Sequence, residues 1–355
     1  MVRNAVLFRV DGNKIQGWES FSRCLTFGYA LQRRRRSAHF LSRLEPSFLG
    51  SLVKKGDNQW LAAEAPVGTP EDLEEITREI RRLRPAAVVI DDPNCSPEYV
   101  AEILALGPMV FCMDNEANFR HASQLVVHPM LSKAMGDYDV CPGSQVLTGP
   151  RYAMVRPGIR RIRQIRGQEP PEPLRCVISL GDDPNNWTAR AVKGLLPLKN
   201  LSRIDILARM GHPKLKQWED LAEANKGRVT VSIETMDQSR RISRCHFAIT
   251  EADTGSLELA CVGVPMLIMV QNELYWPTAQ RLEEEGAANL LGWHEAIKEN
   301  TVRMAAENLM KDPAERRQMA RSGRALIDGR GPDRLVTALE IMLHPSRSID
   351  LREAA

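Results

Sequence analysis

Short apolar runs alternate with helix-length amphipathic stretches along this chain, and the alternation stops once and then begins again. The first series holds NAVLFRV (4–10), AHFLSRL (38–44), AAVVIDD (86–92), MVFCMDN (109–115) and QLVVHP (124–129) as strands. Helices are read between them over 20–36, 70–85 and 96–107. PEDLEEITREIRRLRP carries the clearest helix signals: Pro at each end, acids early and arginines late. RPGIRRIRQIRGQEPPEP (156–173) then breaks the pattern. It is rich in Arg and Pro without an apolar stripe, and reads as a linker stiffened by Pro170, Pro171 and Pro173. Strands resume with LRCVISLG (174–181), RIDILAR (203–209), RVTVSI (228–233), HFAIT (246–250) and PMLIMV (265–270), again separated by helices. Residues 296–322 and 331–343 read as mainly helical. A strand followed by a helix and another strand calls for a crossover connection, so each series predicts a parallel sheet with helices on both faces. The expected organisation is an α/β domain over 1–155, a linker over 156–173, a second α/β domain over 174–330, and a C-terminal helix and tail over 331–355.

A length of 355 residues suits two domains better than one core. The net charge of +3 gives no reason to expect nucleic acid or an anionic membrane as the main partner. The run Arg33–Arg36 reads as a helix end, where cations suit the dipole. Seven cysteines lie scattered without a CxxC or a Cys/His cluster, so no metal site is expected. Reduced, buried thiols in a cytoplasmic protein fit that distribution. The N-terminus lacks the apolar core of a signal peptide. VGVPMLIMV (262–270), the longest apolar run, is too short to span a bilayer.

Two places suggest chemistry. In ITEADTGSLELACVGVP (249–265) a strand, a turn and a helix follow one another. Backbone N–H groups at the helix start suit a pyrophosphate, the Thr254 and Ser256 hydroxyls add donors, and Glu258 one turn in suits ribose hydroxyls. Equally, Asp253 or Thr254 caps the helix and Glu258 is an exposed helical acid. The second place is VDGNKIQGWESFSRC (10–24), where a strand leads through Gly12 and Gly17 into a helix.

Several segments, in order, resemble the UDP-2,4-diacetamido-2,4,6-trideoxy-β-L-altropyranose hydrolase family of pseudaminic acid biosynthesis. GPRYAMVRP (149–157) is similar to its Gly-Pro-x-Tyr-x-x-x-Arg-Pro segment, and TGSLELACVGVP keeps its Glu, Gly and Pro at 258, 263 and 265. CVISLGDDPNNW (176–187), VVIDDP and FCMDNEA match further strand ends. The resemblance implies a GT-B-like fold, two Rossmann-like domains with a ligand cleft between them. It also implies metal-independent attack of water on a UDP-linked amino sugar, without a cofactor, in surface or flagellin glycan synthesis. A glycan or protein acceptor in place of water is the transferase variant of that reading. Nucleotide contacts are then expected from Gly181, Thr254, Gly255, Ser256, Glu258 and Asn272, with Gln271 beside the last.

The family's Gly-x-Gly-His-x-x-Arg falls on Gly17, Glu19, Ser20 and Arg23, so the water-activating His is replaced by Ser20. A hydroxyl has no useful basicity near neutral pH. Glu19 could act as the base instead, for which it would need a pKa raised by apolar surroundings such as Trp18; the favoured role is an acid in a first helical turn, with Ser20 as N-cap. Asp91 and Asp114 at strand ends hold sugar hydroxyls or cap the next helices, and His128 is expected to face the cleft. A homologue that has lost its base and only binds or regulates is the alternative.

Overall fold

The computed structural model describes residues 4–13, 18–209, 211–233 and 236–344. Two units divide the chain: 1–154 with 330–355, and 155–329. Each is a Rossmann-like α/β unit, and together they make a GT-B-like fold.

The first unit has seven parallel strands: β1 (Ala5–Arg9), β2 (Ser37–Ser42), β3 (Gln59–Ala62), β4 (Ala87–Ile90), β5 (Met109–Met113), β6 (Leu125–Val127) and β7 (Gln145–Leu147). Their order is β3-β2-β1-β4-β5-β6-β7, so the winding reverses between β1 and β4. Arg9 stands opposite Ile90 there, which brings the ends of the two strands side by side. Val6, Phe8 and Val89 face one layer, packed with Phe27, Phe40 and Phe111. Phe8 stacks on Phe40 at 4.5 Å between ring centroids. Leu7, Val88 and Ile90 alternate to the other layer, against Ile76, Ile80 and Tyr99. The helix Pro70–Leu83 begins as its sequence signals require, with Thr69 accepting from the Asp72 N–H and Pro70 in the first turn.

The second unit has six parallel strands: β8 (Leu174–Ser179), β9 (Leu201–Ala208), β10 (Val229–Ile233), β11 (Phe247–Thr250), β12 (Met266–Val270) and β13 (Ala288–Trp293). Their order, β10-β9-β8-β11-β12-β13, repeats the same winding and reverses between β8 and β11. Trp187 and Trp218 anchor its core.

Two expectations about organisation change. The stretch read as a linker contains the helix Pro157–Ile165, which belongs to the second unit. Its apolar face is only Ile159 and Ile162, too narrow to show as a stripe, and both are buried. Arginines do the remaining docking: Arg163 donates to the carbonyls of Cys261 and Ile327, and Arg166 to those of Ile242 and Cys245. Helix-terminal carbonyls are natural acceptors for such cations. The C-terminal helix Gly331–Leu343 belongs to the first unit, where Leu335, Val336 and Leu339 join the core. Gly331 is needed at its start, because a Cβ there would collide with the Ala153 carbonyl. Arg33 and Arg36 pair with Asp333 and Glu340 of this helix, so the arginine run is a docking surface beyond the end of the helix Glu19–Gln32.

All seven cysteines are unpaired, and all but Cys141 are buried. Among the described residues no helix is long and apolar enough to cross a membrane, and no three His, Cys, Asp or Glu groups stand in a metal-holding arrangement.

Candidate functional site

In a doubly wound sheet the strands diverge at the reversal point and leave a crevice beyond their carboxyl ends. The first unit fills this place with charge. Arg9, fully buried, donates to Asp11 (2.6 Å), to Asp72 and to the carbonyls of Leu41 and Ala65. Tyr99 Oη and the Gly68 N–H also donate to Asp72. Asp11 accepts on Oδ1 from Arg9 and from the Arg43 N–H, while its buried Oδ2 has no hydrogen-bond partner among the described residues.

Arg23 reaches the end of β4 from the helix Glu19–Gln32. Its Nε and Nη2 donate to the two oxygens of Asp91, each at 2.6 Å, and Nη2 also donates to Ser20 Oγ at 3.0 Å. Burial by itself lowers the Arg23 pKa, but the Asp91 carboxylate outweighs it and the guanidinium is held more firmly charged than usual. Ser20, Arg23 and Asp91 thus come together as one hydrogen-bonded cluster, with Arg23 and Asp91 buried and Ser20 half-buried at its edge. Ser20 is not the N-cap; the helix starts at Glu19 with Trp18 before it. Trp18 donates to the Glu45 carbonyl and packs edge-on against Phe48. Glu19 is half-buried, and its charge acts on Arg23 one turn later. Gly17 lies outside the described residues.

Asp92 is the carboxylate that sequence reasoning passed over. It is 9% exposed and lines a cavity with Cys95, Cys112, Asp114 and His121. Burial pushes its pKa up to about 6, and the neighbouring Asp11 and Asp91 charges push the same way. The Asn94 N–H and Arg9 act against the rise.

Asp114 is turned into its own loop. It accepts from the backbone N–H groups of Glu116 and Ala117 and from His121 Nε2. Desolvation works against ionisation, but these hydrogen bonds win and its pKa is lowered. His128 does not face an opening. It is fully buried, with Nδ1 beside the Asp114 carbonyl and Tyr138 Oη and Nε2 against Ser132 Oγ. Desolvation lowers its pKa, so the ring stays neutral near pH 7. His121, missed in sequence, lies in the same group with its Nδ1 buried and unpartnered among the described residues.

The reversal point of the second unit lies beyond β8 and β11. Gly181 adopts a φ of +58°, and a side chain there would meet the Asp253 carboxylate. Asp253 is the N-cap of the helix Thr254–Val262, accepting from the Ser256 N–H at 3.2 Å. Its negative charge therefore stands where a phosphate would use the same dipole. The Ser256 hydroxyl is spent on the Asp253 carbonyl at 2.7 Å, so it is not a free donor. Thr254 and Gly255 are half-buried in that first turn.

Glu258 is 3% exposed, not an exposed acid. It accepts from Arg156 Nε (2.8 Å), Nη2 (2.6 Å) and the Arg156 N–H (3.1 Å). This ion pair ties the start of the helix Pro157–Ile165 to the helix Thr254–Val262. Asn272 is exposed and caps a short turn by accepting from the Leu274 N–H. Its neighbour Gln271 is the buried amide of the pair. It is 8% exposed, its N–H donates to Glu251 and its Oε1 accepts from Asn185, while Nε2 is buried without a partner among the described residues.

No family model matches this chain. The spore coat polysaccharide biosynthesis protein SpsG of Bacillus subtilis (strain 168) is 22% identical over 270 residues, which are 75% of this chain and 80% of that protein. Among solved structures, UDP-GlcNAc 2-epimerase from Neisseria meningitidis bound to UDP-GlcNAc superposes with a TM-score of 0.65 at 11% identity, over 95% of this chain and 99% of that one. The S. aureus MnaA-UDP co-structure gives 0.66 at 14%, over 96% and 97%. At these identities the structural likeness shows the fold alone.

Proposed function

We propose that this protein binds a UDP-linked sugar and acts as a sugar-nucleotide hydrolase or glycosyltransferase in polysaccharide synthesis, on a pathway of the pseudaminic acid kind. The observation that carries the reading is the reversal point of the second unit. There Gly181 lies beside the Glu251 carboxylate, which accepts from the Gln271 N–H, the Nε2 of Gln271 is buried without a partner among the described residues, and Glu258 is buried in the helix Thr254–Val262 that follows. Gln271 is assigned as a donor to the nucleotide, and Gly181, Thr254 and Gly255 as its backbone surface. The distant relative in spore coat polysaccharide synthesis and the fold neighbours whose structures hold UDP and UDP-GlcNAc support this reading. In calorimetry, UDP is expected to bind the intact chain. Glu258→Ala, which also releases Arg156, is expected to weaken that binding about tenfold or more. Unchanged affinity would remove Glu258 from the nucleotide site.

On the enzymatic reading Glu19 is the base that activates water or an acceptor hydroxyl. Glu19→Gln should then lower UDP release by roughly two to four orders of magnitude while leaving substrate binding intact. A binding or regulatory role is the second reading, favoured by the engagement of Arg23 with Asp91 and Ser20 and by Asp253 at the helix start. A wild-type chain that binds UDP-sugars but never releases UDP, with or without acceptors, would decide for it.

A further inference from the structure

We propose that Arg156, held in place by Glu258, donates to the diphosphate of the nucleotide. The inference rests on the nucleotide-sugar reading and names the cation of that site. The helices Pro157–Ile165 and Thr254–Val262 pack against each other in the second unit. Arg156, the N-cap residue of the first, meets Glu258 one turn into the second. Arg163, near the end of the first, reaches the Cys261 carbonyl near the end of the second. The two helices are therefore parallel and start on the same side. The second of them follows β11, so that side is the carboxyl end of the sheet, where Gly181 follows β8. Helical side chains lean towards the helix N-terminus, which carries the Glu258 carboxylate, and Arg156 with it, over the first turn.

A diphosphate at that turn needs a cation. Asp253 already accepts from the Ser256 N–H, and Ser256 Oγ is spent on the Asp253 carbonyl. The helix start thus offers a phosphate a carboxylate as neighbour, which opposes the helix dipole. The ion pair answers this by its orientation. The Glu258 side chain is 4% exposed and that of Arg156 37%, so the negative member lies inside and the positive member faces outward. Glu258 engages both Nε and Nη2, which fixes the plane of the guanidinium. A guanidinium held in this way matches phosphate oxygens in direction as well as in charge. Two cations at the Gly181 turn serve that loop itself: Arg209 pairs with Asp182, and Lys214 donates to the carbonyls of Asp183 and Pro184.

Calorimetry on the intact chain with uridine and with UDP reads this contact as the ratio of two affinities. Arg156→Gln is expected to cut the advantage of UDP over uridine about tenfold, the worth of one charge-assisted contact. That variant also leaves Glu258 buried without its partner, so the comparison is repeated with the carboxylate removed: Glu258→Gln alone against Glu258→Gln combined with Arg156→Gln. The ratio should again fall about tenfold between these two, and this second comparison decides where the single Arg156 variant does not fold. A residue that only holds Glu258 in place would weaken both ligands equally. Equal losses of uridine and UDP, or a wild-type chain that binds uridine as tightly as UDP, overturn the proposal and leave the nucleotide reading standing. A wild-type chain that binds neither ligand sinks the nucleotide reading itself.

Discussion

Replacing Arg23 by Met is expected to destabilise the protein by about 3–5 kcal/mol, because it strands the Asp91 charge in the interior. The two side chains are 5% and 1% exposed, so water cannot take over the lost partner. For a unit of this size the loss corresponds to a fall of about 10 °C in melting temperature. Arg23→Met with Asp91→Leu should recover most of it, since a well-packed apolar pair carries no orphaned charge. Thermal and urea unfolding of the two single variants and the double variant make the test. Losses below 1 kcal/mol in both single variants would show that the pair is not the closed ion pair described. The same experiment guards the functional assays, because inactivity of an Arg23 variant alone would not mark a sugar contact.

Asp92→Asn is expected to act in the opposite direction, stabilising the protein at pH 7.5 by on the order of 2 kcal/mol. The sign follows from a carboxyl pKa of about 6 in the folded protein against the ordinary 3.8. Below the ordinary value the group is protonated in both states and the variant gains nothing. As pH rises from about 4 to about 6 the unfolded chain gives up the proton while the folded one retains it, so native stability drains away. Above 6 the folded protein carries a buried charge, and Asn, which can still accept from the Asn94 N–H, avoids it. Unfolding free energies of both proteins between pH 4 and 8 should therefore diverge through that window. Parallel curves would refute the assignment. Destabilising charge retained at a crevice is a usual mark of a ligand site.

Much of the scaffold was legible because its signals are local. TPEDLEEI shows a cap, a helix-starting Pro and early acids within eight residues, and the helix Pro70–Leu83 follows them. The apolar runs that became β1, β4, β5, β8, β11 and β12 needed only their own composition to be read as buried strands. The helix Pro157–Ile165 was missed because two isoleucines bury it and arginine hydrogen bonds to distant carbonyls do the rest. The strands Gln59–Ala62 and Gln145–Leu147 were missed because three or four residues show no pattern of their own.

The candidate sites divide the same way. The sequence by itself determined the repeated strand–helix order and the turns at Gly181 and before Thr254, since these depend on residues adjacent in the chain. Only the tertiary structure decided what each polar side chain does. Arg23 meets Asp91 across 68 positions and Arg156 meets Glu258 across 102, so whether they are ligands or partners depends on packing at long range. His128 lost its expected exposure to Tyr138 and Ser132 by the same logic. Burial creates the need for a hydrogen-bond partner, and burial is a property of the fold rather than of any residue in the sequence.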